Sequence, residues 1–494
     1  MLRMSLLAPL TIAALLAAVV AALLPDVARR RTPGSLAVWP AGAATVVATI
    51  GLAAALAADD DVAGAALSLL VVALTVVVQS YASRNLRGDP RSRSFFALSS
   101  LAAVGTTTAI AAGDVVFLAA GWTLGTVSMI ALIGTGGAGP QTRVAVSRSA
   151  VALLLGDAAL WTAVIIAVAS TGSASLAALG SVDAISAAVV SALVALAAVA
   201  RAGAFPLHGW LPATAATTTP VSALLHAGFV NAGALLFLRY AAVPSVVGPW
   251  IVAAAGAITM IVAGLAMLTR PDVKGRLVQS TAAQMGFLLL ACGLGAFGVA
   301  LVHAIGHALY KASLFLGAGS AVEHALKARG VAHPARSTAG AIVGAVIVLL
   351  TGVAAIAASG AWEHSAAVLL LFAGATAVVA GARIGASSRS VAARAAQLAG
   401  LAALTAAYLA VVFPAAEALA PVTAADPVPA LFAVAVFVLA AASGLAARGS
   451  GPLADRLFAS AFSWGRPPLP PTASRIDTPW TPAPADGPLE YRRF

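Results

Sequence analysis

Long apolar runs recur through almost the whole 494-residue chain, and its basic residues collect in alternate gaps between them. A helix that crosses a bilayer needs about 20 mostly apolar residues. Runs of suitable length lie near 4–24, 35–57, 62–82, 94–112, 114–134, 146–170, 184–203, 220–240, 248–269, 276–293, 296–320, 337–358, 364–382, 395–413 and 428–447. Only 9% of the residues are charged, whereas a soluble domain carries roughly 25%. That shortfall excludes a soluble enzyme, a nucleic-acid reader and a disordered scaffold. The pattern predicts an all-α polytopic membrane protein with about 13–15 transmembrane helices. The first run follows only Arg3 and ends at Pro25 without a small-residue cleavage site, so it reads as a retained span.

Basic loops tend to stay on the cytoplasmic side. An amino terminus outside places Arg29, Arg30 and Arg31 inside, followed by Arg84, Arg87, Arg91 and Arg93, then Arg143 and Arg148. Arg270, Lys274 and Arg276 follow, then Lys327, Arg329 and Arg336, then Arg383, Arg389 and Arg394. Acidic Asp59, Asp60, Asp61, Asp183, Glu363, Glu417 and Asp426 fall outside. This alternation predicts a plasma-membrane protein with its carboxyl terminus in the cytoplasm. Residues 1–464 form the transmembrane domain, and the proline-rich stretch 465–494 reads as a disordered cytoplasmic tail.

Few ionisable groups remain at depth once the loops are set aside. Lys311 and Asp157 lie within spans, together with His226, His303 and His307. A charge at the bilayer centre costs between ~3 and ~10 kcal/mol, so such residues default to functional hypotheses. In "LVHAIGHALYKASLFLGAGS", His303, His307 and Lys311 recur every four residues. Helical geometry puts them on one face, rising about 6 Å per step. Imidazole titrates near neutrality and a desolvated lysine can approach it, so the stack can pass a proton if water bridges the gaps. The plainer alternative is that both histidines simply bond neighbouring helices. Zinc is the competing use of His-x3-His, but it needs a third protein ligand. The single cysteine, Cys292, and the absence of an HExxH string leave none in view. No cofactor motif is visible; "GTGGAG" at 134–139 lies between spans and lacks a strand–helix context.

A second constellation is "ARAGAFPLHGWLPATAATTTPVSALLHAGFVNAG". Its prolines predict a helix broken near 201–220 and restarting at Pro220, with Thr219 as a candidate cap. Broken backbone at membrane depth is tolerated where protein or a water-filled cavity surrounds it. Arg201 is either a fixed charge beside such a cavity or an interfacial anchor. His226 is a relay candidate with Asn231 nearby, and Asp157 in "LLLGDAALW" is the natural counter-charge for a buried base. A third segment, "TRPDVKGRLVQSTAAQMGF", begins a helix with Lys274, which either snorkels outward or points into the bundle as a proton loader.

The strings "FPLHGWLP", "TPVSALLHAG", "DVKGRLVQSTAAQMGF" and "HALYKASLFLGAGS" occur in that order. Together they resemble the proton-conducting membrane subunits shared by respiratory complex I and Mrp cation/proton antiporters, over roughly residues 60–325. Within that superfamily "HAGFVNAGALLFLRY" and "SRNLRGDPRSRSFFALSS" look most like the DabB subunits of inorganic-carbon transporters. Complex I subunits usually carry a glutamate after a tryptophan in the fifth span, where Thr123 follows Trp122 here. They also carry a lysine in the twelfth span, which "AIVGAVIVLLTGVAAIAAS" lacks. The chain departs from the DabB pattern too, with Arg201 at the usual lysine and Ala216 and Thr218 at the usual acidic and proline positions.

The resemblance implies an antiporter-like subunit fold and a transporter subunit that is not itself an enzyme. It implies H⁺ or Na⁺ movement past His226, His303, His307, Lys311, Lys274, Asp157 and Arg201. The implied partner is a DabA-like zinc-binding cytoplasmic subunit similar to β-carbonic anhydrases, beside the lipid bilayer and with no nucleic acid. Two alternatives stay open. One is a cation/proton antiporter or NADH-quinone oxidoreductase chain 5-like subunit; the other is a membrane anchor that has lost conduction.

Overall fold

A computed structural model describes residues 4–24, 32–58, 61–318, 346, 390–418, 428–447 and 451–465. The expected spans near 337–358 and 364–382, the tail from 466, and Arg29–Arg31, Asp59, Asp60, Lys327, Arg329, Arg336, Glu363, Arg383, Arg389 and Asp426 lie outside the described residues. Each other expected span coincides with helix. In chain order these are α1 (Met4–Leu23), α2 (Val38–Ala58), α3 (Val62–Asn85), α4 (Ser92–Ala111), α5 (Val115–Gly134), α6 (Pro140–Thr171) and α7 (Ala184–Ala202). The short α8 (Trp210–Ala213) precedes α9 (Thr219–Ala227) and α10 (Ala232–Arg239). There follow α11 (Val247–Leu268), α12 (Val273–Gly293), α13 (Phe297–Leu316), α14 (Val391–Ala418), α15 (Ala430–Ala446) and α16 (Pro452–Gly465).

Lipid offers no hydrogen bonds, so a spanning segment satisfies its backbone internally as helix. Among the described residues nine helical segments are long and apolar enough to cross a membrane. The protein is a multi-pass helical bundle. Close helix approach depends on glycines that face each other. A Cβ on Gly256 of α11 would stand 2.5 Å from the Gly286 carbonyl oxygen of α12. Gly105 of α4 and Gly121 of α5 form a second such crossing, where a Cβ at either position would meet the other's carbonyl oxygen at 2.6 Å.

Loops meet at two ends, in the alternation expected from the charges. At one end Arg148 approaches Gly209 and Arg91 approaches Gly137. At the other, Asp114 bridges Ser175, and the Arg239 guanidinium donates to the Ala112 carbonyl. The loop aspartates also have a structural duty, which charge counting does not show. Asp61, Asp114, Asp183 and Asp272 each accept a backbone N–H in the first turn of the helix that follows.

The break near 201–220 is present, with one correction of detail. α7 ends at Ala202, and Gly203 takes the left-handed conformation (φ 62°) that caps it. Thr219, expected as the cap, is the first residue of α9; Thr218 occupies the cap position without a side-chain bond. Thr217 does the local hydroxyl work instead, pairing with the Ser222 hydroxyl at 2.9 Å. The sequence reading missed a second interruption, a 3₁₀ turn over Phe229–Asn231 that splits the span into α9 and α10. It also missed α16, whose small residues Ala454, Ala461 and Gly465 are its buried ones.

Candidate ion-translocation site

Two buried polar clusters flank the Phe229–Asn231 turn. The larger lies among α9, α12, α13 and the broken segment. Lys311 is fully buried, and its ammonium donates to the Leu277 carbonyl of α12 at 3.1 Å. Lys274, one turn earlier on α12, points into the protein and donates to the Thr217 carbonyl at 2.6 Å. The broken backbone supplies that acceptor at the end of a 3₁₀ turn. Among the described residues neither lysine has a carboxylate ion-pair partner.

His226 is fully buried and stacks on Phe315 of α13 with ring centroids 4.7 Å apart. Its Nε2 lies 3.4 Å from the Thr214 hydroxyl. Lys274 and Lys311 both stand within electrostatic reach of this ring, as do His303, Lys311 and His226 of His307. His307 and His303 stack at 6.0 Å with nearly parallel planes, and His303 meets the Phe287 edge at 4.7 Å. The expected common face of α13 is therefore present, with His307 and Lys311 buried and His303 half-buried. Asn231 joins α10 to α13, its amide oxygen 3.1 Å from His307 Nδ1 and its amide nitrogen donating to the Ala304 carbonyl at 3.3 Å.

The smaller cluster joins α5, α6 and α7. The Asp157 carboxylate accepts from the Trp122 indole at 2.8 Å and from the Thr126 hydroxyl at 2.9 Å. Arg201, 2% exposed, approaches the same oxygen at 3.8 Å. Its guanidinium lies between the Trp122 and Phe229 rings, 3.7 and 4.1 Å from their centroids. Of the seven residues expected to form one path, five thus gather around α13, while Asp157 and Arg201 pair with each other. Interior burial removes the interfacial-anchor option for Arg201.

Trp122, Thr126, Thr214 and Thr217 complete these clusters and were not anticipated. Trp122 and Thr126 stand four residues apart on α5, the spacing that shares a helix face; that was the available signal. At the basic end Trp464 of α16 stacks on His208 at 5.3 Å and on Phe205 at 5.8 Å. Nothing local in the sequence links residues so far apart.

Comparison with known proteins places this architecture. Residues 112–336 match the transmembrane family described as "NADH:quinone oxidoreductase/Mrp antiporter". The solved structure of an Mrp complex from Dietzia sp. superposes with a TM-score of 0.58 and 26% identity, covering 94% of this chain and 52% of that one. Fold and family match liken this chain to the antiporter-like membrane subunits of the complex I/Mrp superfamily. Within the class, the resemblance to DabB is borne out. The chain is 36% identical over 281 residues to a probable inorganic carbon transporter subunit DabB1 of Halothiobacillus neapolitanus, covering 54% of this chain and 50% of that protein. It is 48% identical over 139 residues to the probable DabB subunit of Hydrogenovibrio crunogenus, covering 28% of this chain and 27% of that protein. The chain thus spans about half the length, or less, of these curated relatives.

Proposed function

We propose that this chain is the ion-conducting membrane subunit of an energy-coupled inorganic-carbon uptake system. In this reading H⁺ or Na⁺ moves through the cluster of His303, His307, His226, Lys311 and Lys274. Its movement drives conversion of carbon dioxide to bicarbonate by a DabA-like, zinc-binding, carbonic-anhydrase-like cytoplasmic partner. Asp157 and Arg201 act beside the path as a fixed charge pair, because a guanidinium does not release its proton in the working range. The chain would sit in the plasma membrane with its amino terminus outside and its carboxyl terminus in the cytoplasm. The zinc chemistry belongs to the partner and this chain is a transporter subunit.

One observation carries the reading. Three imidazoles and two ammonium groups share one buried interior, and among the described residues the lysine ammonium groups donate to backbone carbonyls with no carboxylate beside them. A buried cation without a counter-ion is costly, and its retention marks function. Lys311→Ala, expressed at the normal level with its partner, should abolish bicarbonate accumulation. Unchanged accumulation rejects the path. A second reading, a cation/proton antiporter subunit, is favoured by the likeness to the Mrp complex. Co-purification separates the two: a zinc protein supports carbon uptake, and several small membrane subunits support the antiporter.

A further inference from the structure

We infer that Asn231 sets the tautomer of His307 and confines its proton exchange to one ring nitrogen, Nε2. This rests on the ion path proposed above and deepens it. The Asn231 amide nitrogen lies 2.8 Å from the Ala227 carbonyl oxygen and 3.3 Å from that of Ala304. Carbonyl oxygens only accept, so both contacts require the NH₂ group to face them. The opposite amide orientation would set oxygen against oxygen at those distances. The amide oxygen is thereby turned toward His307 Nδ1, 3.1 Å away. Having no proton of its own, it fixes the hydrogen on Nδ1 and leaves Nε2 bare in the neutral ring. His307 is 3% exposed, and among the described residues its Nε2 has no hydrogen-bond partner.

The consequence is mechanistic. A proton that arrives at Nε2 forms one N–H bond and converts the ring to imidazolium, with the Nδ1–H still bonded to Asn231. An amide oxygen is too weak a base to take the Nδ1 proton. The same Nε2–H bond therefore breaks when the proton departs. His307 stores a proton at one nitrogen and does not conduct through its ring, so no ring flip or tautomer reset is needed between turnovers.

His226 follows the same logic with the nitrogens exchanged. The Thr214 hydroxyl gives its hydrogen to the Leu211 carbonyl at 2.6 Å. Toward His226 Nε2 it can then only accept. That leaves Nδ1 as the bare nitrogen, which is buried and without a hydrogen-bond partner among the described residues. The two deepest imidazoles thus present opposite ring nitrogens, each selected by a neutral polar neighbour.

The test is solid-state NMR of the full chain, labelled with ¹⁵N-histidine, in lipid bilayers. His307→Gln identifies the His307 signals. Wild type should show a protonated Nδ1 and an unprotonated Nε2 for neutral His307, and Asn231→Asp, which still accepts, should keep that pattern. Asn231→Leu should add a substantial Nε2–H population and slow proton flux into liposomes at least tenfold. A wild-type Nε2–H tautomer, or a His307 tautomer unchanged in Asn231→Leu, overturns the inference. If Asn231→Leu does not fold, the wild-type spectrum alone decides. The spectra report on Asn231 independently of transport: expected spectra with normal bicarbonate accumulation in Lys311→Ala would sink the function and leave this assignment standing.

Discussion

Arg201 approaches the Asp157 carboxylate at 3.8 Å, yet its closer bonds go to the Trp122 carbonyl at 3.2 Å and the Thr126 hydroxyl at 2.5 Å. The pair is a clasp among α5, α6 and α7 as much as an ion pair. Removing one partner of a buried pair strands the other, at a cost of about 3–5 kcal/mol. Arg201→Met should therefore lower the thermal unfolding midpoint of the purified protein sharply. Adding Asp157→Leu should recover a large part of the loss, since replacing both charges is often nearly neutral. Arg201→Lys should fall between, because an ammonium keeps the charge but loses the planar fork and the sandwich between two rings. Equal midpoints for Arg201→Met with and without Asp157→Leu would contradict the clasp.

Much of this arrangement was legible in the sequence, for a physical reason. Span length and basic-loop alternation are set by the bilayer itself, so α1 to α7 and α11 to α13 follow from hydropathy. His303, His307 and Lys311 share a face because helical spacing dictates it. What sequence could not show is which helix each face meets. Asp157 was expected beside a buried base and does stand beside one, but that base is Arg201 and not a member of the histidine cluster. The 3₁₀ turn at Phe229–Asn231 has no proline to announce it. α16 was missed because its 14 residues are too short to read as a span.

Lys274 ties the broken segment to α12 through the Thr217 carbonyl. Lys274→Met leaves that carbonyl without its donor, at a cost of about 1–3 kcal/mol. The cost should appear locally, as faster amide hydrogen exchange over residues 217–222 with little change in α4 and α5. Lys274→Arg should protect the segment better than Lys274→Met, because a guanidinium can still donate to the carbonyl. Uniform exchange in all three proteins would show that the contact does not hold the segment.

The Asp183 carboxyl is held well below the usual carboxylate range, first by the Ser170 hydroxyl at 2.7 Å and then by Ser186. A carboxyl with a lowered folded-state pKa contributes stability above its unfolded value, about 3.9. That contribution is lost as pH falls through the folded value. Acidification below about pH 4 should therefore loosen the α6–α7 connection, read as increased proteolysis within 172–183. Asp183→Asn should be looser at neutral pH and show a smaller change on acidification. A wild-type loop whose cleavage is flat from pH 6 to pH 3 (roughly the carboxylate range) would refute this account.

Gly256 and Gly264 lie on the same helix, α11, and make opposite demands. A Cβ at Gly256 would meet the Gly286 carbonyl oxygen at 2.5 Å and the Leu290 nitrogen at 2.7 Å, both backbone atoms that cannot swing aside. At Gly264 nothing among the described residues lies within 4 Å. Forcing extra carbons into a packed contact costs typically ~1–3 kcal/mol, and more where backbone must move. Gly256→Val should therefore abolish or greatly reduce the monodisperse peak in size-exclusion chromatography. Gly264→Val should elute as wild type, since an apolar span tolerates valine where no described backbone opposes it. Comparable yields from the two variants would show that helix propensity, and not the α11–α12 contact, governs this pair.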